Sequence, residues 1–339
     1  MIYRAAEHEP LAGGSWDERL ARYAIADIVD DVVAGGPLAR PEQGIYLGVA
    51  GELYALRVLG RDVDWPVGTG EGPGLIDGEV GIAVVTRDLD RFRAAADDCI
   101  ADPWNELLYG AGGALVAARL LDEDETAREA IARLWSTWSF DSELRACVWT
   151  QVYEGRPSRY LGFAHGLAGN VYALLRAASL QSREHQTELM HRIVEALERT
   201  ALRDGKLINW PPAPGDSPDK LRVQWCHGAP GIVCALAGAP AQRELDALLL
   251  AGGELTWEAG PLRKGGGLCH GTAGNGWAFL KLHRRTRDRK WLERARRFAM
   301  HAIEQRSGER GLYEGDLGIA LYLNACIEVD DRWPLLDVA

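Results

Sequence analysis

Seven times along its 339 residues, the chain repeats one eight-residue glycine pattern, G-x-x-x-G-x-x-G, and an apolar run follows each copy. Two copies have lost the first glycine. The copies read GIYLGVAG (44–51), GLIDGEVG (74–81), ELLYGAGG (106–113), GFAHGLAG (162–169), QWCHGAPG (224–231), GLCHGTAG (267–274) and GLYEGDLG (311–318). Recurrence of this kind indicates a repeat architecture, in which each unit buries its apolar face against its neighbours.

The segments between the copies have the spacing of amphipathic helices. The clearest are 16–33, 124–138, 182–202 and 287–305. In the last of these, Trp291, Ala295 and Phe298 fall near one face and the arginines on the other. The runs after the glycines are apolar on all sides, so they require burial all round. The pattern predicts an all-α fold, an α/α toroid with seven inner and seven outer helices, forming one domain over residues 1–339.

Two stretches do not fit the alternation of helices, and no long segment shows the alternation of a strand. They are 140–160 and 204–223, the second rich in proline, glycine and aspartate. Loops this long inside a compact fold are usually functional or disordered. Because each precedes a repeat that carries histidine, we expect both to form walls of a site.

The charge balance and the cysteines exclude several classes of protein. With 38 Lys and Arg against 49 Asp and Glu, the net charge is −11, which does not favour binding to nucleic acid. No run approaches the ~18 apolar residues of a membrane span, and residues 1–16 lack the apolar region of a signal peptide. Six cysteines in such a chain are typical of reduced thiols. We therefore expect a cytoplasmic protein.

One position of the repeat collects polar side chains. The residue before the second glycine is, in order, Leu47, Asp77, Tyr109, His165, His227, His270 and Glu314. Just before it, Cys226 and Cys269 form the only Cys-His doublets of the chain, in consecutive copies. Since equivalent positions of a closed repeat face the same axis, we expect the chemistry to concentrate in copies four to six.

Two cysteines and up to three histidines at one rim suit Zn²⁺, which prefers thiolate and imidazole. Three protein ligands would leave an open catalytic position, and four would make a closed structural site. Two thiolates reduce the charge on zinc, so such a site favours holding another thiol as thiolate. The alternative for a cysteine after tryptophan is a buried thiol, and that is our expectation for Cys99, Cys147, Cys234 and Cys326.

At these residues the chain resembles the lanthionine synthetase C-like family, the cyclases of lanthipeptide biosynthesis and their stand-alone relatives. The resemblance runs through all seven glycine turns, and its most specific parts are GFAHGLAG, LRVQWCHGAPG and GLCHGTAG. It implies an α/α toroid and Zn²⁺ bound by Cys226, Cys269 and His270, with a fourth position for water or a substrate thiol.

The resemblance also implies a reaction. A zinc-held thiolate adds to dehydroalanine or dehydrobutyrine and gives a thioether, and a proton is then delivered to Cα. The acid/base histidine of the family matches His165, with His227 as a second candidate for the proton donor, and the active-site arginine matches Arg222. The substrate would be a dehydrated precursor peptide or glutathione, and a dehydratase would be the partner of a peptide cyclase.

One departure bears on the substrate. Peptide cyclases of the family typically place an aspartate shortly before the glycine of the third copy, whereas here the nearest acid is Glu106, in WNELLYGAGG. That string is closer to the stand-alone proteins. The alternatives are a non-catalytic zinc toroid that binds peptides or glutathione, and another toroid enzyme such as a prenyltransferase subunit or a glycosidase. A glycosidase would need paired carboxylates, for which Asp77 and Glu314 are the loose candidates.

Overall fold

The computed structural model describes residues 2–37 and 43–337, and its dominant elements are thirteen α-helices. Seven of them begin directly after the glycine turns: α2 (Val49–Val58), α3 (Glu79–Thr86), α5 (Ala111–Leu120), α7 (Leu167–Arg176), α9 (Ala229–Leu236), α11 (Thr272–Thr286) and α13 (Asp316–Glu328). The other six are α1 (Glu18–Gly35), α4 (Leu89–Ala101), α6 (Asp124–Thr137), α8 (Arg183–Thr200), α10 (Arg243–Ala259) and α12 (Arg289–Glu304).

The seven helices that follow the turns form a closed inner ring. Each contacts the next one along the chain, and α13 returns to contact α2. All eight residues of α9 are buried, as expected for a helix that is apolar on every side. The remaining helices pack around this ring, which confirms the predicted α/α toroid. None of the helices in the described ranges is long and apolar enough to cross a membrane.

The outer layer differs in number from the expectation of seven helices. Six outer helices are present among the described residues, because the connection between α2 and α3 is not helical. Its sequence over 61–70, RDVDWPVGTG, contains a proline and two glycines and lacks a helical apolar period. The outer helices carry their own start signals, and side chains of Asp17, Asp88, Ser182 and Asp288 cap four of them.

The third glycine of every copy is required by close packing within the turn. A Cβ atom there would lie 1.8 to 2.4 Å from the carbonyl oxygen of the residue six positions earlier. In four copies the N–H of this glycine also donates to the carbonyl of the first glycine, at 3.2 to 3.4 Å, which satisfies one orphan donor at the helix start. The repeat is therefore a compact turn that closes back on the first turn of its helix.

Replacing Gly231 by alanine tests this packing, because its Cβ would lie 1.9 Å from the Trp225 carbonyl oxygen. We expect a loss of about 2–3 kcal/mol in the free energy of unfolding, the scale of overpacking a core. Gly238→Ala is the matched control, since a Cβ there meets nothing within 4 Å. Urea denaturation of the two variants measures the difference, and equal stabilities would contradict the steric account.

Three short hairpins occupy the two stretches that the helix pattern leaves unexplained. They pair β1 (Ser139–Asp141) with β2 (Ala146–Val148), β3 (Gln151–Tyr153) with β4 (Arg156–Ser158), and β5 (Leu202–Asp204) with β6 (Leu207–Asn209). The expectation of irregular loops was wrong here, because strands of three residues are too short to show alternation. In the turn between β3 and β4, Glu154 and Gly155 both have positive φ, as a type I′ turn requires.

An aromatic cluster fills the ring below the glycine turns. Trp225 stacks on Trp333 with 4.6 Å between ring centroids, and Phe163 and Tyr313 lie 5.1 and 5.5 Å from Trp225. Trp333 belongs to the segment after α13, which therefore closes the core from the other end of the toroid. Since Phe163, Trp225 and Tyr313 belong to glycine turns, this packing fixes the position of the site residues in those turns.

Candidate active site

Hydrogen bonds between neighbouring turns hold the equivalent positions in register. The N–H of one turn donates to the carbonyl of the same position in the next, over 2.9 to 3.3 Å. The series runs Cys226 to Cys269, Cys269 to Tyr313, Tyr313 to Tyr46, Tyr46 to Ile76 and Ile76 to Leu108. Five such bonds join six turns, so these six positions share one structural slot, as the sequence predicts.

The slot brings the two predicted thiols together. Cys226 and Cys269 are both buried, and their side chains are hydrogen-bonded to each other. Gln224 Nε2 donates to Cys226 Sγ at 2.8 Å. The hydrogen bond from Cys269, helped by the charge of His165 and by Gln224, outweighs burial and lowers the pKa of Cys226 to about 7. The same bond and burial raise the pKa of Cys269, so the pair favours one thiolate and one thiol.

The third predicted ligand, His270, lies beside the pair but faces a carboxylate. Its Nε2 is 3.4 Å from Glu314 Oε1, and Tyr46 donates to the same oxygen at 2.6 Å. Within residues 2–37 and 43–337, no three histidine, cysteine or acidic side chains are arranged to hold a metal ion. The donor types fit Zn²⁺, and two adjacent thiols supply the soft half of such a site, while His270 would have to exchange Glu314 for the metal.

His165 and Glu106 form a second functional pair on the same rim. His165 Nδ1 lies 3.0 Å from Glu106 Oε2, and the Glu106 side chain is only 1% exposed. Burial lowers the pKa of His165, but the charge of Glu106, their hydrogen bond and the charge of Cys226 raise it above its ordinary value. Burial raises the pKa of Glu106 as well. Both shifts favour the protonated form, so the pair keeps a shared proton to higher pH than the two groups would apart.

His227, unlike His165, is held in its neutral form. Its ring stacks 5.5 Å from that of His165. Burial, the charge of His165 and that of Arg222 lower the pKa of His227 to about 3. Its Nδ1 is buried, and no hydrogen-bond partner for it exists among the described residues. Two neighbouring imidazoles whose pKa values are pushed apart are typical of an acid/base site.

Arg222 and three residues that the sequence analysis missed line the rim towards the thiols. Arg222 donates to the carbonyls of Asp219 and Leu221 at 2.9 and 3.0 Å, and its guanidinium lies 3.5 Å from Glu7. Lys264 Nζ lies 3.7 Å from the same carboxylate and donates to Gln224 Oε1 at 3.0 Å. The signal for Gln224 was its place two residues before Cys226, but nothing near Glu7 in the sequence marks it.

A charged wall and an aromatic wall flank the thiols and histidines of the site. A cavity of about 330 Å³ adjoins His270 and is lined by Lys264, Arg310 and Glu314 among others. Across the rim, Trp104 packs between Tyr109 and Tyr153, with centroids 4.6 and 4.2 Å away. Tyr153 lies on β3, and Tyr160 follows β4 and lies 5.5 Å from His227. The stretch 140–160 therefore forms a wall of the site, as the sequence predicts.

The remaining predicted positions have structural partners. Tyr109 donates to Asp77 Oδ2 at 2.8 Å, so these two side chains bind each other. Of the four cysteines assigned to packing, Cys99, Cys234 and Cys326 are buried and Cys147 is partly buried. A larger cavity, of about 650 Å³, opens at the far end of the inner helices and contains none of the predicted site residues.

Comparison with known proteins shows to which family the chain is similar. The sequence model of the lanthionine synthetase C-like protein family matches residues 71–338. "Glutathione S-transferase LANCL1" of Danio rerio is 34% identical over 183 residues, which is 51% of this chain and 44% of that protein. "LanC-like protein GCL1" of Arabidopsis thaliana is 31% identical over 254 residues, 68% of this chain and 57% of that protein. The chain thus spans about half the length of these curated relatives.

A solved structure titled "Nisin cyclase" shares the fold. It superposes with a TM-score of 0.65, covering 91% of this chain and 94% of that one, at 18% sequence identity. At this identity the likeness concerns the toroid itself.

Proposed function

Because the chain belongs to the lanthionine synthetase C-like family, we propose that it catalyses the addition of a thiol to the β-carbon of dehydroalanine or dehydrobutyrine. The observation that carries the proposal is the rim itself, where the Cys226–Cys269 pair stands next to the proton-holding pair His165–Glu106. The first pair suits a soft metal and a substrate thiol. The second suits proton delivery to the carbon that becomes saturated.

The metal is part of the proposal. Cys226, Cys269 and His270 would hold Zn²⁺, whose charge would lower the pKa of a bound substrate thiol from ~8.5 and keep it as thiolate near neutral pH. The two thiols already lie side by side. His270 follows Cys269 directly and lies at the edge of the adjoining cavity, so a thiol entering from that cavity would reach the pair.

The proton balance of the reaction suggests a separate role for each of the two histidines, His165 and His227. The thiolate sulfur forms the new C–S bond, the C=C electron pair moves towards the carbonyl, and Cα then needs one proton. His165 holds that proton through Glu106 and is the general acid. The proton that the thiol loses on ionisation restores His165, so no proton is gained or lost overall. His227, with a pKa of about 3, stays neutral and orients the His165 ring by packing on it.

Arg222 would hold the substrate's developing charge. Its side chain is 27% exposed at the rim, where a substrate carbonyl that gains negative charge in the transition state would find a fixed cation. The name of the Danio rerio relative supports glutathione as one thiol, and a cysteine within a dehydrated peptide is the other. A dehydratase would supply the electrophile in the second case.

Incubation with a dehydroalanine-containing peptide and a thiol, followed by mass spectrometry, tests the proposal. We expect the mass of the thiol to be added to the peptide faster than in the absence of protein. A peptide that carries its own cysteine should lose free thiol without a change in mass. Binding of the peptide or of glutathione without any product would favour the non-catalytic toroid instead.

A further inference from the structure

The segment that precedes α1 is bound across the rim of the site. The backbone N–H of Glu9 donates to the Pro261 carbonyl, and that of Arg263 donates to the Glu7 carbonyl, both at 3.0 Å. Asn209, at the end of β6, donates to the Ile2 carbonyl at 2.8 Å. These bonds fix the segment against the loop before the sixth glycine turn, so the position of the Glu7 side chain is set by backbone contacts on both sides.

The Glu7 carboxylate contacts three cations at this rim. Its Oε1 lies 2.5 Å from Arg4 Nη1 and 3.5 Å from Arg222 Nη1, and its Oε2 lies 3.7 Å from Lys264 Nζ. Only 13% of the Glu7 side chain is exposed, whereas 27% of Arg222 and 35% of Lys264 are. One carboxylate therefore bridges Arg222 and Lys264 at this rim.

One of these cations, Lys264, is linked to the thiol pair through Gln224. Lys264 Nζ donates to Gln224 Oε1 at 3.0 Å, and the amide of Gln224 donates to Cys226 Sγ at 2.8 Å. A carboxylate carried close to the sulfur of a substrate that reaches Cys226 would therefore lie near Lys264, which shares the Glu7 carboxylate with Arg222. That carboxylate would meet two cations that Glu7 already neutralises in part.

We propose that Glu7 is a specificity-determining residue, which occupies the carboxylate position at Arg222 and Lys264 and so favours thiols that carry no carboxylate of their own. This inference rests on the proposed function, because it assumes that the thiol substrate enters at this rim. It deepens that function by naming the substrate class: the cysteine side chain of a peptide, whose neighbouring groups are neutral amides, is preferred over a small anionic thiol.

Glu7→Gln is the test variant, because it keeps the shape of the side chain and removes the charge. The ligands are S-methylglutathione, which has the carboxylates but no free thiol, and N-acetylcysteamine, which is a thiol without charge. We expect Glu7→Gln to tighten S-methylglutathione binding about fivefold in calorimetry, the scale of releasing two partly exposed ion pairs, and to leave N-acetylcysteamine unchanged. The gain should shrink as salt is raised.

Two further variants keep the result interpretable. Glu18→Gln makes the same charge change at an exposed helix position paired with Arg22, and should alter neither affinity. Glu7→Asp keeps the charge and should restore the affinities of the unchanged protein, with a melting temperature close to it. An equal change for both ligands, or no change for S-methylglutathione, would overturn the inference. Because S-methylglutathione cannot react, that outcome is independent of whether thioethers form.

Discussion

Replacing His165 by asparagine is expected to lower kcat for thioether formation about 100- to 10,000-fold, the usual contribution of a general acid. The asparagine can still accept or donate at the Glu106 carboxyl but cannot deliver a proton to Cα. Substrate affinity should change little, because His165 acts after the thiol and the electrophile are bound. Steady-state kinetics of the variant, together with its metal content, measure the effect.

The partner of His165 offers a matched variant. Glu106→Gln keeps the contact at Nδ1 and removes the charge that, with the hydrogen bond, outweighs burial and raises the pKa of His165. The pKa of His165 should therefore fall, and the acid form should be lost at lower pH. The basic limb of the kcat profile is expected to move to lower pH in this variant. Wild-type kcat in His165→Asn, or an unmoved limb in Glu106→Gln, would remove the assigned role.

Replacing Cys226 by alanine is expected to lower activity about a hundredfold or more. Assistance by a bound metal is worth several kcal/mol, and each ~1.4 kcal/mol is a factor of ten in rate. The variant should fold, because the backbone N–H of residue 226 still donates to the Cys269 carbonyl. Thioether yield by mass spectrometry gives the loss.

Cys234→Ala is the matched control for that loss. Cys234 is buried in α9, eight residues after Cys226 in the chain, and burial raises the pKa of its thiol far above its ordinary value, so it stays a neutral thiol. The control variant loses the same atoms from a buried site and should keep its activity. If both variants lost activity equally, the effect would be one of packing, and the thiol pair would have no special role.

The repeat made most of the fold predictable. Each glycine turn marks the start of an inner helix, and the apolar run after it marks burial on all sides, so the toroid follows from pattern alone. What the pattern could not show was the missing outer helix after α2, where proline and glycine replace an amphipathic period, or the hairpins, whose three-residue strands leave no periodic trace.

The site was predictable where the repeat placed it and unpredictable elsewhere. Cys226, Cys269 and His165 occupy equivalent turns, so their proximity followed from the sequence. Glu106 lies in a turn as well, but only the fold shows that it contacts His165 rather than solvent. Glu7 belongs to no repeat, and it reaches the rim through backbone contacts with a loop more than 250 residues away.

The most direct measurement is the zinc content of the purified chain by elemental analysis, for the wild type, Cys269→Ala and Cys234→Ala. If the two Cys-His turns form one zinc site, the wild type and Cys234→Ala contain about one zinc per chain, and Cys269→Ala contains none. Freshly purified, folded wild type without zinc, or zinc retained in full by Cys269→Ala, would contradict the assignment of the Cys-His turns as one metal and thiol site.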